Sequence, residues 1–155
     1  MSRTGRDGYL VTVPLIPETR RLAEGSEFHI DDPHISAVSA HQVRQHLTRW
    51  MAATLPTSNE RRTDIELAVY EAVANAVEHA YCDLPQPGTV LVAARYRHAK
   101  RSLHITVTDH GTWKPPNPTR SRGRGLALIN ALCQSPDITT GPTGTTVSLH
   151  WRLFS

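Results

Sequence analysis

Cysteine is nearly absent from this chain, with Cys82 and Cys133 the two examples in 155 residues. Two are too few for a disulfide scaffold, and neither stands at a metal-ligand spacing. No apolar run approaches the roughly 20 residues that a membrane-spanning helix needs. The opening MSRTGRDGYLVTVPLIPETRR lacks the apolar core and cleavage site of a signal peptide. Aromatic residues make up 6% of the chain. They are not interleaved with the arginines as they are on single-strand nucleic-acid surfaces. These absences lead us to expect a cytoplasmic protein with no membrane partner and no direct nucleic-acid partner.

What is present suits one compact domain. A length of 155 residues, 39% hydrophobic and 20% charged, is ordinary for a single core. The net charge of +3 is mild, and the arginines gather in TRSRGRG and along the stretch from Arg44 to Arg62. Nine histidines are dispersed without an H-x-x-x-H pair. Residues 1–25 mix glycine, proline and charge with no sustained period. They are expected to form a flexible tail or linker remnant, in which YLVTVPL could make a short strand. Residues 26–155 are expected to form the domain.

Along that domain, SEFHI is strand-like, and Ser36 to Leu55 has helical spacing through Val38, Val43, Leu47 and Met51. SNE supplies cap-type residues for a second helix running to about Tyr81. TVLVAARYR and SLHITVTDHG alternate as an antiparallel hairpin. A proline- and arginine-rich loop, a short helix LALINALC and a last hairpin built on DITT and TTVSLHWRLF follow. The order β-α-α-β-β-loop-α-β-β predicts an α+β fold, with helices packed on one face of a mixed, mostly antiparallel sheet.

Four stretches carry chemistry. In ELAVYEAVANAVEHAY, Glu71, Asn75 and His79 stand four apart, which on a helix makes one polar line. Beside it Ala68, Ala72, Ala76 and Ala80 form a small-residue stripe suited to close packing. A carboxylate at such an edge can act as a general base. An amide oxygen one turn away suits Mg2+. TVTDHGTW ends a strand with Asp109, which could accept from an exocyclic amine, followed by Gly111, which would let the backbone pass close by. An Asp-x-Gly turn that only closes a strand would look the same. In RSRGRGLAL, Gly123 and Gly125 precede a helix whose N-terminus could face phosphate oxygens, with Arg122 and Arg124 as charged donors. A flexible loop with a helix cap is the alternative. GPTGTTVSLHW brings Gly144, Thr145 and Thr146 into the last strand, where hairpin-turn chemistry is an equal account.

Taken together and in this order, the four resemble the GHKL ATPase superfamily, which includes gyrase, histidine kinases and MutL. EAVANAVEHAY is similar to its N box, DHG to its first glycine box, GRGL to its second and GTT to its last. The resemblance implies the Bergerat ATP-binding fold, a two-layer α/β sandwich, with ATP and Mg2+ as cofactors. It implies Glu71 as catalytic base and Asn75 as Mg2+ ligand. Asp109, Gly111, Gly123, Arg124, Gly125, Leu126, Thr145 and Thr146 would line the nucleotide pocket and its lid.

From the 155 residues we expect no transducer domain and no phospho-accepting helix pair. The N box is closest to that of stand-alone anti-sigma factor serine/threonine kinases of bacterial partner-switching systems. That resemblance implies sequestration of a sigma factor and phosphorylation of a STAS-type anti-sigma factor antagonist. It also implies a partner contact at Arg44 and a tendency to homodimerise. An alternative is a partner-binding module with weak or no kinase activity. Two departures favour that alternative: Trp113 replaces the second glycine of the first glycine box, and the short lid carries Pro115, Pro116 and Pro118, which restrict φ.

Overall fold

The computed structural model describes residues 3–4, 10–11, 26–32, 37–80, 89–111 and 125–154. Two short strands, β1 (Arg3–Thr4) and β2 (Leu10–Val11), pair antiparallel. They are followed by β3 (Ser26–Asp32), α1 (Ala37–Thr54), α2 (Asn59–Asn75), β4 (Val90–Arg97), β5 (Ser102–Asp109), α3 (Gly125–Leu132), β6 (Asp137–Gly141) and β7 (Gly144–Arg152). From β3 onward this is the predicted element order.

The five longer strands form one sheet in the order β3-β4-β5-β7-β6. Every pairing among the described residues is antiparallel, so the sheet is not mixed as expected. The two hairpins predicted from sequence are β4–β5 and β6–β7. Pairing of β5 with β7 joins them, after the chain has left the sheet through α3.

Strand alternation decides the layers. Val92, Ala94 and Tyr96 of β4, Leu103, Ile105 and Val107 of β5, and Val147, Leu149 and Trp151 of β7 are all buried. Ala40, Val43, Leu47 and Met51 of α1 recur at helical spacing and join the same core. From α2 come Ile65, Ala68, Val69, Ala72 and Val73, and from α3 comes Ile129. Of the alanine stripe, Ala68, Ala72 and Ala76 are buried in this core, where small side chains let α2 lie close to its neighbours, α1 and α3. Trp151 ties the layers together by donating its indole N–H to the Leu132 carbonyl at 2.8 Å. The result is an α+β two-layer sandwich with helices on one face of the sheet.

Ser58 caps α2 in extended conformation, its hydroxyl accepting from the Arg61 N–H at 3.2 Å. The far end of α2 departs from expectation. The α-helix stops at Asn75, and Ala76–Ala80 continue as a π-helical turn. A π turn uses more residues per revolution than an α turn. The four-residue spacing that aligns Glu71 with Asn75 therefore does not carry on to His79.

Candidate functional site

Glu71 and Asn75 lie one turn apart on α2, and both are half-buried. Their helix packs on β5 and on α3. Inward neighbours Ala72, Val73, Ala74 and Ala76 are buried, so the acid and the amide stand where the core meets solvent. The backbone of His79 lies in the π turn, and its side chain is outside the described residues.

Asp109 ends β5 and is 6% exposed, one of two buried polar residues among those described; Thr145 is the other. The two are directly paired across β5 and β7. The Asp109 carboxylate accepts from the Gly111 N–H at 3.0 Å, and the Thr145 backbone N–H is a second donor to it. Burial pushes the Asp109 carboxyl above its ordinary value. The two backbone donors and nearby His110 pull the other way. The Thr145 hydroxyl is buried and has no hydrogen-bond partner among the described residues. A buried polar atom in that state costs about 1–3 kcal/mol, so a donor or acceptor arriving from a ligand would relieve it.

Gly144 makes this pairing possible. Its φ is +142°, and a Cβ built there would stand 2.0 Å from the Asp109 carbonyl oxygen. Only a residue without a side chain lets β7 enter the sheet so close to the end of β5. The sequence marked Gly144 as a turn residue and did not name it among the site residues. Its signal is nonlocal, since the contact crosses 35 positions of chain.

The other predicted residues divide. Thr146 stands on the opposite face of the sheet from Thr145, its hydroxyl 3.2 Å from that of Thr108, and is not brought together with Asp109. Leu126 packs half-buried against the core. Gly125 opens α3, as a helix-start role requires. Trp113, the lid prolines, Arg122, Gly123 and Arg124 lie outside the described residues. Arg44, predicted to contact a partner, is tied within the fold. Its Nε donates to the Glu66 carboxylate of α2, and its guanidinium lies 5.6 Å from the centre of the Tyr70 ring. Among the described residues no cluster of histidine, cysteine and carboxylate side chains could hold a metal ion on its own. No helix among them is long and apolar enough to cross a membrane.

The family model of the histidine kinase-like ATPase domain matches residues 36–151. The chain belongs to this family of GHKL-type ATP-binding domains. It is similar to the crystal structure of the RsbU and RsbW domains of Rv1364c from Mycobacterium tuberculosis. Identity there is 31% and the TM-score 0.65, over 82% of this chain and 32% of that one. The chain thus spans about a third of that structure's length. A second similar structure is the histidine kinase domain of the blue-light activated histidine kinase EL346 from Erythrobacter litoralis. At 22% identity and a TM-score of 0.57, over 75% of this chain and 60% of that one, it shows a likeness of fold alone.

The residues at the end of β5 fit the family's nucleotide. Asp109 is an acceptor held in place by backbone N–H groups, and the unpartnered Thr145 hydroxyl beside it can donate or accept. Such a pair matches a purine edge carrying an exocyclic amine.

Proposed function

We propose that this chain is a cytoplasmic anti-sigma factor with ATP-dependent serine/threonine kinase activity. It would sequester a sigma factor and phosphorylate a STAS-type antagonist protein. The observation that carries this reading is the buried Asp109 with its two backbone donors, set beside an orphaned Thr145 hydroxyl. The similarity to a structure containing an RsbW domain supports the partner-switching part.

Each residue has a physical role in this reading. Asp109 accepts from the adenine amine, and Thr145 completes the polar edge. Asn75 offers an amide oxygen to Mg2+, a hard cation that prefers oxygen ligands. Bound ATP supplies the phosphoryl group to be transferred. Glu71 takes the proton from the attacking serine or threonine hydroxyl, which raises the nucleophilicity of that oxygen. Its position at the rim of the core keeps the carboxylate within reach of a partner's side chain. Arg44 is held by Glu66 and Tyr70 with its charge partly exposed at 42%, as a pre-oriented contact for the sigma factor.

Calorimetric titration with Mg-ATP and phosphate transfer to an antagonist protein test the reading together. Asp109→Asn should weaken nucleotide binding about 10- to 100-fold, the value of a hydrogen bond to a charged group. Glu71→Gln should leave that binding intact while slowing transfer about 10²- to 10⁴-fold. Wild-type protein that binds no Mg-ATP would sink the nucleotide reading. Binding without transfer, with sigma sequestration retained, would favour a binding module in which Trp113 and the prolines hinder lid closure.

A further inference from the structure

The face of the sheet turned away from the helices has a chemistry the nucleotide reading does not use. Outward positions of β4, β5 and β7 line a shallow depression of about 370 Å³, formed by Ala93, Arg95, Arg97, His104, Thr106 and His150 together with Ser102 and the Ala94 backbone region. Strand register sets two rows across it. Arg95, His104 and His150 stand directly opposite one another on β4, β5 and β7, and Arg97, Ser102 and Arg152 form the next row. Cross-strand neighbours lie about 5 Å apart and successive rows about 7 Å apart. Three guanidinium groups and two imidazoles are thereby gathered within a small patch.

Among the described residues, no carboxylate lines the depression. Glu27 of β3 stands opposite Arg95 in register. The weight of the site falls on Arg97, His104 and His150. The two imidazoles are stacked, with centroids 4.0 Å apart and planes 9° from parallel. The His104 Nε2 is buried and has no hydrogen-bond partner among the described residues. Hydroxyls of Ser102 and Thr106 complete a set of donors that includes no acid.

We propose that this depression is a binding site for a phosphate dianion, either free or as a phosphate monoester. Donors from three strands lining one depression suit an anion with several acceptor oxygens. Among the described residues the lining has no Phe, Tyr or Trp on which a base could stack, which argues against a nucleic-acid strand. Burial, followed by the charges of His150, Arg95 and Arg97, holds the His104 imidazole below its ordinary pKa. An anion seated among these groups reverses the repulsion, so its binding raises the pKa of His104.

The experiment is an NMR titration of the wild-type chain with inorganic phosphate, read at the His104 and His150 ring resonances, with and without saturating Mg-ATP. Saturable shifts at both rings, a raised His104 pKa, and persistence with Mg-ATP present are expected. Arg97 is exposed, so Arg97→Gln should keep the fold, with an unchanged urea midpoint, and weaken phosphate about tenfold, the loss of one charge-assisted hydrogen bond. His104→Gln should abolish the shift at His150. A phosphoserine peptide that binds more tightly than inorganic phosphate identifies a phosphorylated protein as the source, and the reverse order identifies the free ion. No shift at tens of millimolar phosphate overturns the proposal. So does equal affinity in Arg97→Gln, loss of the signal on adding Mg-ATP, or a response to single-stranded oligonucleotide alone. Because the rings report from the opposite face of the sheet, failure here leaves the nucleotide reading standing.

Discussion

At Gly144 a single hydrogen in place of a side chain lets β7 start against the carbonyl of Asp109, and the pairing of Asp109 with Thr145 depends on that approach. The backbone there has φ +142°, a conformation that L-residues adopt only under strain. Gly144→Ala should therefore destabilise the fold by at least about 1–3 kcal/mol, because the new Cβ meets backbone that cannot rotate away. Urea unfolding would measure it, and nucleotide affinity should fall as well, since Asp109 and Thr145 lose their register. A neutral Gly144→Ala would show that the β5–β7 junction can shift without loss. Thr145 and Thr146, adjacent in sequence, fall on opposite faces of the sheet, and the alternation of a strand is the whole cause.

At the scale of elements, α2 joins two jobs. Its buried side supplies Ile65, Val69 and Val73 to the core, and its partly exposed side carries Glu71 and Asn75. The seam with α1 is pinned by Arg44 with Glu66 and Tyr70. Because Arg44 is 42% exposed, solvent screens the pair, and its coupling should be under about 1 kcal/mol. A double-mutant cycle with Arg44→Ala and Glu66→Gln, followed by urea denaturation, measures that coupling. If Arg44 also meets a sigma factor, Arg44→Ala should reduce partner binding far more than the cycle's stability term. Equal effects would assign the arginine to the helix seam alone. The π turn after Asn75 belongs to this scale too, since such turns gather at functional sites and this one begins where the Mg2+ ligand is expected.

For the whole molecule, one buried and one half-buried titratable group set opposing pH dependences. The folded-state pKa of His104 lies below its ordinary 6.5. As pH falls below about that value the unfolded chain takes up a proton that the fold refuses, and stability drops until the folded imidazole also protonates. Asp109 has a folded-state pKa above its ordinary 3.8. There the fold holds the extra proton, so stability rises as pH falls through the raised pKa toward 3.8. The His104 effect should dominate between pH 7 and the onset of carboxyl titration. In urea unfolding in a phosphate-free buffer, the loss of stability from neutral to mildly acidic pH should be smaller in His104→Gln than in wild type. Parallel profiles for the two proteins would refute the assignment.

Local patterning made most of the elements legible. Period-2 alternation in TVLVAARYR and SLHITVTDHG, helical spacing through Val43, Leu47 and Met51, and a capping serine before Asn59 depend only on residues a few positions apart. Such signals survive in a linear text, and the polar line of Glu71 and Asn75 was visible for the same reason. The antiparallel sheet order, the end of α2 in a π turn and the need for glycine at 144 were not. Each is set by contacts between residues far apart in the chain, where burial and backbone clearance are decided by what packs opposite. The same holds for the basic depression, whose arginines and histidines come from three strands separated in the sequence and gain meaning only through register. Residue chemistry and local period were determined by the sequence itself. Which of those residues share a surface was decided by the tertiary structure, because proximity in a sheet follows hydrogen-bond pairing and not chain order.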